Sequence, residues 1–294
     1  MADVLSRGTL FDPQLVSDLI NKVKGKSSLA ALSAQKPIPF NGSKEFIFSM
    51  DSEMDIVAEN GKYSHGGVSL EPVTIVPIKF EYGARISDEF MYASEEEQID
   101  MLKAFNEGFA KKAASCLDIA AFHGINPRTG AASDVIGNNN FDSKVTQTVT
   151  YNSDTPDANI EAAIEMVEGS DGEVTGMAIA PTVRSDLAAL TKSTGEKLYP
   201  DFAFGGQPAN LGANKLDINK TVAVGGVDKA IIGDFANAFK WGYAKEIPVE
   251  IIPYGDPDNT GIDLKGSGQI YIRARVYLGW GIFNANSFAR IISE

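Results

Sequence analysis

The sequence predicts an α+β fold organised by two unusually long elements, a β-hairpin and a single helix. Residues 44–58 and 68–86 alternate apolar and polar positions along two extended arms. Residues 95–123 carry an apolar stripe at helical spacing, and the middle of the chain mixes short helical and strand patterns.

On the first arm Phe46, Phe48, Met50, Met54 and Ile56 share one face. On the second, Val68, Leu70, Val76, Ile78, Phe80, Tyr82 and Ile86 do so. Between them lies ENGKYSHGG, with Asn60-Gly61 and Gly66-Gly67 as turn signals. Arms of this length far exceed the usual five or six residues. Pro72 and Pro77 cannot donate to a ladder, so the second arm is expected at an edge.

The helix opens on a capping box, Ser94 with Glu97, and Glu95 and Glu96 suit the positive end of its dipole. Its stripe runs through Ile99, Leu102, Phe105, Phe109, Ala113, Cys116 and Ala120 to a C-cap at Gly124. At about 1.5 Å per residue, such a helix is a rod of roughly 43 Å.

Ahead of the hairpin, Asp12, Pro13 and Gly25 bracket a short amphipathic helix with Leu15, Val16, Leu19, Ile20 and Val23 on one stripe. Behind the long helix, residues 157–167 and 181–190 read as helices and 177–180 as a buried strand. Residues 191–221 read as surface loop, and 221–224 and 230–232 as strands. Residues 249–252 and 269–278 return to strand before a short apolar ending.

Composition narrows the function. A single cysteine, Cys116, excludes an internal disulfide framework and favours a reducing compartment. No apolar run approaches the roughly 20 residues of a membrane span, and MADVLSRGTLFDPQ has no signal-peptide pattern. A cytoplasmic product is expected. The net charge of −13 disfavours general affinity for nucleic acid, which rests on Lys and Arg meeting phosphates.

The search for chemistry returns little. GKSS at 25–28 lacks the upstream glycine of a phosphate loop, since Ile20 stands there within a helical stripe. DPDNTG at 256–261 resembles the opening of a calcium loop, but Ser267 occupies the place of the bidentate glutamate, and the stretch reads as a turn. The two histidines, His65 and His123, stand far apart without neighbouring ligands. His123 is explained by the negative end of the helix dipole, and Cys116 reads as a core residue. No catalytic, cofactor-binding or metal-binding residue is expected. What remains is shape: the apolar face of a long two-stranded ribbon must be covered, and other copies of the chain are the natural cover.

The order of these parts resembles the major capsid proteins of tailed bacteriophages with the Hong Kong 97 fold. The resemblance spans nearly the whole chain: an amino-terminal arm, the hairpin around MDIVAENGKYSHGG, then VPIKFEYGARISDEFM (76–91) and the helix segment 94–124. APTVRSDLAALTKSTGEKLYP (180–200), VGGVDKAIIGDFANAFKWGY (224–243) and QIYIRARVYLGWGIFNANSFARI (269–291) follow. It implies an amino-terminal arm over 1–43 and an extended hairpin, the E-loop, over 44–86. A peripheral domain would take 87–155 and 245–281, with a spine helix at 95–123. An axial domain would take 156–244, joined by 282–294.

The implied function is self-assembly, as pentamers and hexamers, into an icosahedral shell around a double-stranded DNA genome. Candidate contacts to a neighbouring subunit are Glu59, Asn60, Lys62, Tyr63 and His65. Some members cross-link a hairpin lysine to a neighbour's asparagine. Lys62 and Lys79 lie on the hairpin here, but no motif identifies partners for them. The arm begins within a few residues of Met1, so a separate scaffolding protein is expected, with portal and decoration proteins as further partners. Packaged DNA would be touched weakly, no membrane is involved, and the product is a virion capsid assembled in the host bacterial cytoplasm. An encapsulin-type compartment and a soluble oligomeric enzyme with a site in the middle domain are the alternatives.

Overall fold

A computed structural model describes residues 27–50, 54–62, 65–93 and 95–293. The predicted helix around residues 13–24 and the capping residue Ser94 lie outside this set.

The long helix forms as its periodicity dictates. It runs over Glu95–His123 (α2), following the short α1 (Ser28–Leu32), and ends at Gly124. Gly124 has φ +65° and donates its N–H to the Ala120 carbonyl at 3.0 Å. A Cβ there would also stand 2.3 Å from the Asn140 amide nitrogen, so glycine is required twice over. The stripe faces inward through Leu102, Phe109, Ala113 and Ala120, with Cys116 half-buried.

The described strands form three sheets. β1 (Ser43–Met50) and β2 (Val68–Ile75) form a two-stranded antiparallel ribbon. β3 (Ile78–Ser87), β10 (Gln269–Ile282) and β9 (Phe239–Ile252) form an antiparallel sheet with β10 central. A six-stranded mixed sheet has the order β4-β11-β8-β5-β7-β6. Its strands are β4 (Thr148–Thr150), β5 (Gly176–Ile179), β6 (Asn210–Leu211), β7 (Asn214–Ile218), β8 (Asp228–Gly233) and β11 (Phe288–Ile292). α3 (Phe141–Lys144), α4 (Pro156–Glu168) and α5 (Pro181–Ala189) complete the helices.

The central strands β5, β8 and β11 are buried on both faces, which is why they read as apolar runs. Ala178, Ile231 and Phe288 point into the core shared with the long helix and with Trp241 and Trp280 of β9 and β10. Their neighbours Met177, Ile179, Ile232 and Ala289 point the other way, against Ile160, Val167, Val183 and Leu187 of α4 and α5.

Several expectations are corrected. The second arm is two strands in two sheets: β2 pairs with β1, and after Val76-Pro77 the chain crosses to pair as β3 with β10. Pro77, with no N–H and a fixed φ, marks the break. On the first arm the described strand is Ser43–Met50, and residues 54–58 are not paired as strand. The stretch 191–221 is not simply loop, because its polar-rich NKLDI forms β7, parallel to β5. Residues 221–224, read as strand, belong to a 3-10 turn over Lys220–Ala223 with the Asn219 side chain accepting from the Thr221 N–H. β9 begins at Phe239, ten residues before the expected strand. β4, which falls within 87–155, pairs with β11 in the six-stranded sheet.

The chain entering from residue 27 is fastened along β9. Gln35 bridges Trp241, and the Lys36 and Ile38 N–H groups donate to the Trp241 and Tyr243 carbonyls, each at 2.9 Å. Gly242 makes the approach possible: a Cβ there would stand 1.6 Å from the Lys36 carbonyl oxygen. Gly242→Ala should therefore destabilise the protein by about 1–3 kcal/mol, read as a lowered midpoint in urea. An unchanged midpoint would show that this contact yields without cost.

Candidate functional site

The ribbon of β1 and β2 is the feature left unfinished among the described residues. Its register, from Ser43 opposite Ile75 to Met50 opposite Val68, assigns every residue to one of two faces. One face looks inward at the base. Ile75 is 1% exposed there and seats on β10, where Gly279 and Gly281 leave the space. A Cβ at those glycines would stand 3.1 and 2.9 Å from the Ile75 side chain. Glu45, on this same face, ion-pairs with Lys240 of β9, whose ammonium lies 4.7 Å from the Phe283 ring centroid. Gly42, at φ +86°, turns the chain into β1 with no room for a side chain against the Ile75 carbonyl.

The other face is apolar and bare. Phe46 is 66% exposed and Leu70 61%, with Val68 beside them; farther out, Met54 is 93% exposed and Ile56 98%. Covering a large apolar side chain is worth roughly 1.5–3 kcal/mol, so this face forfeits a substantial stabilisation while it meets water.

The tip is a plain turn. Asn60 adopts φ +68°, and the Gly61 N–H donates to the Ala58 carbonyl at 2.8 Å. Glu59, Asn60, Lys62 and His65 are exposed there; Tyr63 lies outside the described residues. Glu59 and Asn60 are adjacent in the turn, and Lys62 and His65 follow along the loop without being gathered into a cradle.

Two buried polar clusters escaped the sequence reading. At the end of α2, His123 Nδ1 faces Asp142 Oδ2 at 3.1 Å and Asp228 Oδ2 at 3.4 Å, while Nε2 faces the Thr221 carbonyl at 3.0 Å. With acceptors at both nitrogens the ring is an imidazolium. Burial opposes that charge, but the hydrogen bonds to Asp142 and Asp228 outweigh it and raise the pKa to about 9. Arg290 completes the group, gripping Asp228 through Nε at 3.0 Å and Nη2 at 3.1 Å and reaching Asp142 at 2.8 Å. Burial pushes the Asp142 carboxyl up, whereas at Asp228 the His123 and Arg290 hydrogen bonds overcome burial and hold it down.

His123, Asp142 and Asp228 are close enough to hold a metal ion. However, Arg290 already bridges both carboxylates, and two cations balance two anions. This is an ion cluster joining α2, α3, β8 and β11, and it replaces the dipole explanation of His123. No spacing in the sequence announces it, because its members are brought together from four elements.

The second cluster centres on Asp118, fully buried in α2. Its carboxyl accepts from Ser27 Oγ (2.7 Å), the Ser28 N–H (2.6 Å), the Leu29 N–H (3.2 Å) and Thr221 Oγ1 (2.9 Å). Burial raises its pKa to about 7 against the pull of these donors. It pins the entering segment to the long helix.

Both clusters are satisfied within the fold, and the exposed apolar ribbon points to assembly. The sequence matches the phage capsid family over residues 7–291. The chain belongs to the phage capsid family. No curated protein matches it. A solved chain from Mycobacterium phage Ogopogo is 30% identical, with TM-score 0.78 over 93% of this chain and 94% of that one. A chain from Gordonia phage Cozz is 21% identical, with TM-score 0.76 over 93% and 88%. A chain from the capsid of an empty GTA particle computed with C5 symmetry is 12% identical, with TM-score 0.64 over 92% and 91%.

This phage capsid chain has the Hong Kong 97-like fold and is a major capsid protein, a structural component that self-assembles into the virion shell. Family and fold are those of a shell protein rather than an enzyme, and the encapsulin reading is not favoured. Among the described residues no helix is long and apolar enough to cross a membrane.

The ion cluster yields a pH prediction. The folded pKa of His123 lies above its ordinary value of 6.5, so its stabilisation is complete below about 6.5 and is lost as pH rises through about 9. Wild-type stability should fall between pH 7 and pH 10 by up to about 3 kcal/mol from this group. His123→Gln should be less stable at pH 6 and show a flatter profile in denaturant titrations. Equal slopes for the two proteins would remove His123 from the account.

Proposed function

We propose that this major capsid protein builds the icosahedral head of a tailed phage, in pentamers and hexamers around double-stranded DNA, with its hairpin laid over the adjacent subunit. The supporting observation is the asymmetry of the ribbon. Its inner face is seated on β10 at Ile75, while the outer face carrying Phe46, Val68 and Leu70 is left exposed among the described residues. In this reading residues 44–86 are the E-loop, and Glu59, Asn60, Lys62, Tyr63 and His65 meet the neighbour. Residues 87–155 and 245–281 are the peripheral domain around the long helix. Residues 156–244 with 282–294 are the axial domain, and β4 belongs with the sheet in which it pairs.

The net charge of −13 supports a shell that touches packaged DNA weakly. A separate scaffolding protein, a portal and decoration proteins are the proposed partners, with assembly in the host cytoplasm. Expression with and without the neighbouring phage genes tests the scaffold: uniform shells from this chain alone would make one dispensable.

The hairpin is tested by Phe46→Asp with Leu70→Asp. The variant should keep the wild-type circular dichroism spectrum, because neither side chain is in its own chain's core, yet give no closed shells by negative-stain microscopy. Shells at wild-type yield would contradict the assignment, as would unfolded protomers.

A further inference from the structure

The loop joining β9 to β10 contains DPDNTGI, a motif the capsid role leaves unused. Here alternate residues turn their oxygens to one point. Asp256 Oδ1, Asp258 Oδ1, Thr260 Oγ1 and the Ile262 carbonyl all accept from a single nitrogen, Nη2 of Arg85 on β3. The Asp256 and Ile262 contacts measure 2.8 and 3.0 Å, and Arg85 Nε adds a bond to Asp258 Oδ2 at 2.9 Å.

Two features make this more than an acidic patch. First, a cation already sits at the convergence point, supplied from outside the loop, 171 residues from Asp256. Second, the acceptors outnumber its donors: Nη2 carries two hydrogens, whereas four oxygens face it. A spherical hard cation would satisfy all four at once. The arrangement follows the first, third, fifth and seventh positions of a calcium loop, the seventh through its carbonyl and the sixth a glycine, Gly261 at φ +80°. The Gly261 N–H donates to Asp256 Oδ2 at 2.7 Å and the Thr260 N–H to Asp256 Oδ1 at 3.0 Å, so the loop's own amides hold the first ligand in place.

We propose that residues 256–262 form a calcium-class oxygen cradle whose resident cation is the Arg85 guanidinium, so that the loop is ordered without metal and opens to a hard cation only when Arg85 is removed. The Asp263 oxygens accept from the Gly255 and Gly266 N–H groups at 3.1 and 2.9 Å, which braces the far side of the same loop. With Ser267 in place of a bidentate acid, the vacated cradle belongs to the weak class of oxygen sites, about 10⁻⁴–10⁻³ M for calcium. The inference is independent of how the hairpin meets its neighbour.

Terbium(III) is the probe, excited through the adjacent Tyr254, on the full-length protein. Arg85→Met should show saturable sensitised emission that calcium displaces, and adding Asp258→Asn should abolish it. Wild type should show no saturable emission. Arg85→Gln provides a second removal of the charge, and circular dichroism verifies that each variant is folded. The proposal is overturned if both folded single variants match the Arg85→Met/Asp258→Asn protein, or if wild type binds terbium as tightly as they do.

Discussion

A two-stranded ribbon has two faces, and among the described residues only one of them is seated on the body of the protein. Every side chain of β1 and β2 is committed to a face by the register that pairs Ser43 with Ile75 and Met50 with Val68. Ile75 anchors the inner face because Gly279 and Gly281 strip the opposing surface of β10 down to backbone. The outer face keeps Phe46 and Leu70 in water. An isolated ribbon of this kind is marginal, and a chain that carries one stably as part of a larger body has its completion elsewhere. In a protein that self-assembles into a shell, we propose that this place is the next copy.

The remainder of the fold makes the base of the ribbon a fixed platform. β10 is paired on both sides, by β3 and β9, and packs through Val276, Leu278 and Trp280 against the core shared with α2. Asp118 fastens the entering segment to that helix, and the His123, Asp142, Asp228 and Arg290 cluster fastens the helix end to the six-stranded sheet. Buried charges of this kind contribute little net stability over apolar packing. Removing one partner, however, leaves the others uncompensated, so they act chiefly to enforce a single arrangement. The contrast is structural: a tightly fixed body carries a ribbon whose outer apolar side chains are exposed among the described residues.

Much of this was legible in the sequence. The stripe from Leu102 to Ala120 and the glycine at 124 define α2 to the residue, since helix periodicity and a left-handed C-cap are local signals. The exposed apolar face was legible because Phe46, Val68 and Leu70 alternate with polar neighbours on two arms joined by a turn. The division of the second arm was not, because β2 and β3 carry continuous alternation through Pro77 and only their partners differ. β7 was hidden by its composition: NKLDI is ordinary loop sequence, made strand by parallel pairing with β5. Nothing local marks Asp118, whose partners Ser27 and Thr221 arrive from distant parts of the chain. The DPDNTG turn was recognised, yet its occupant could not be, because Arg85 belongs to another strand.

The central claim is that the face bearing Phe46 and Leu70 is finished by a second subunit. A cryo-electron microscopy reconstruction of assembled shells at side-chain resolution tests it most directly. The account predicts apolar atoms of a neighbouring copy within about 4.5 Å of both side chains. Phe46 and Leu70 left open to solvent in every subunit, or covered by their own chain folding back, would contradict it.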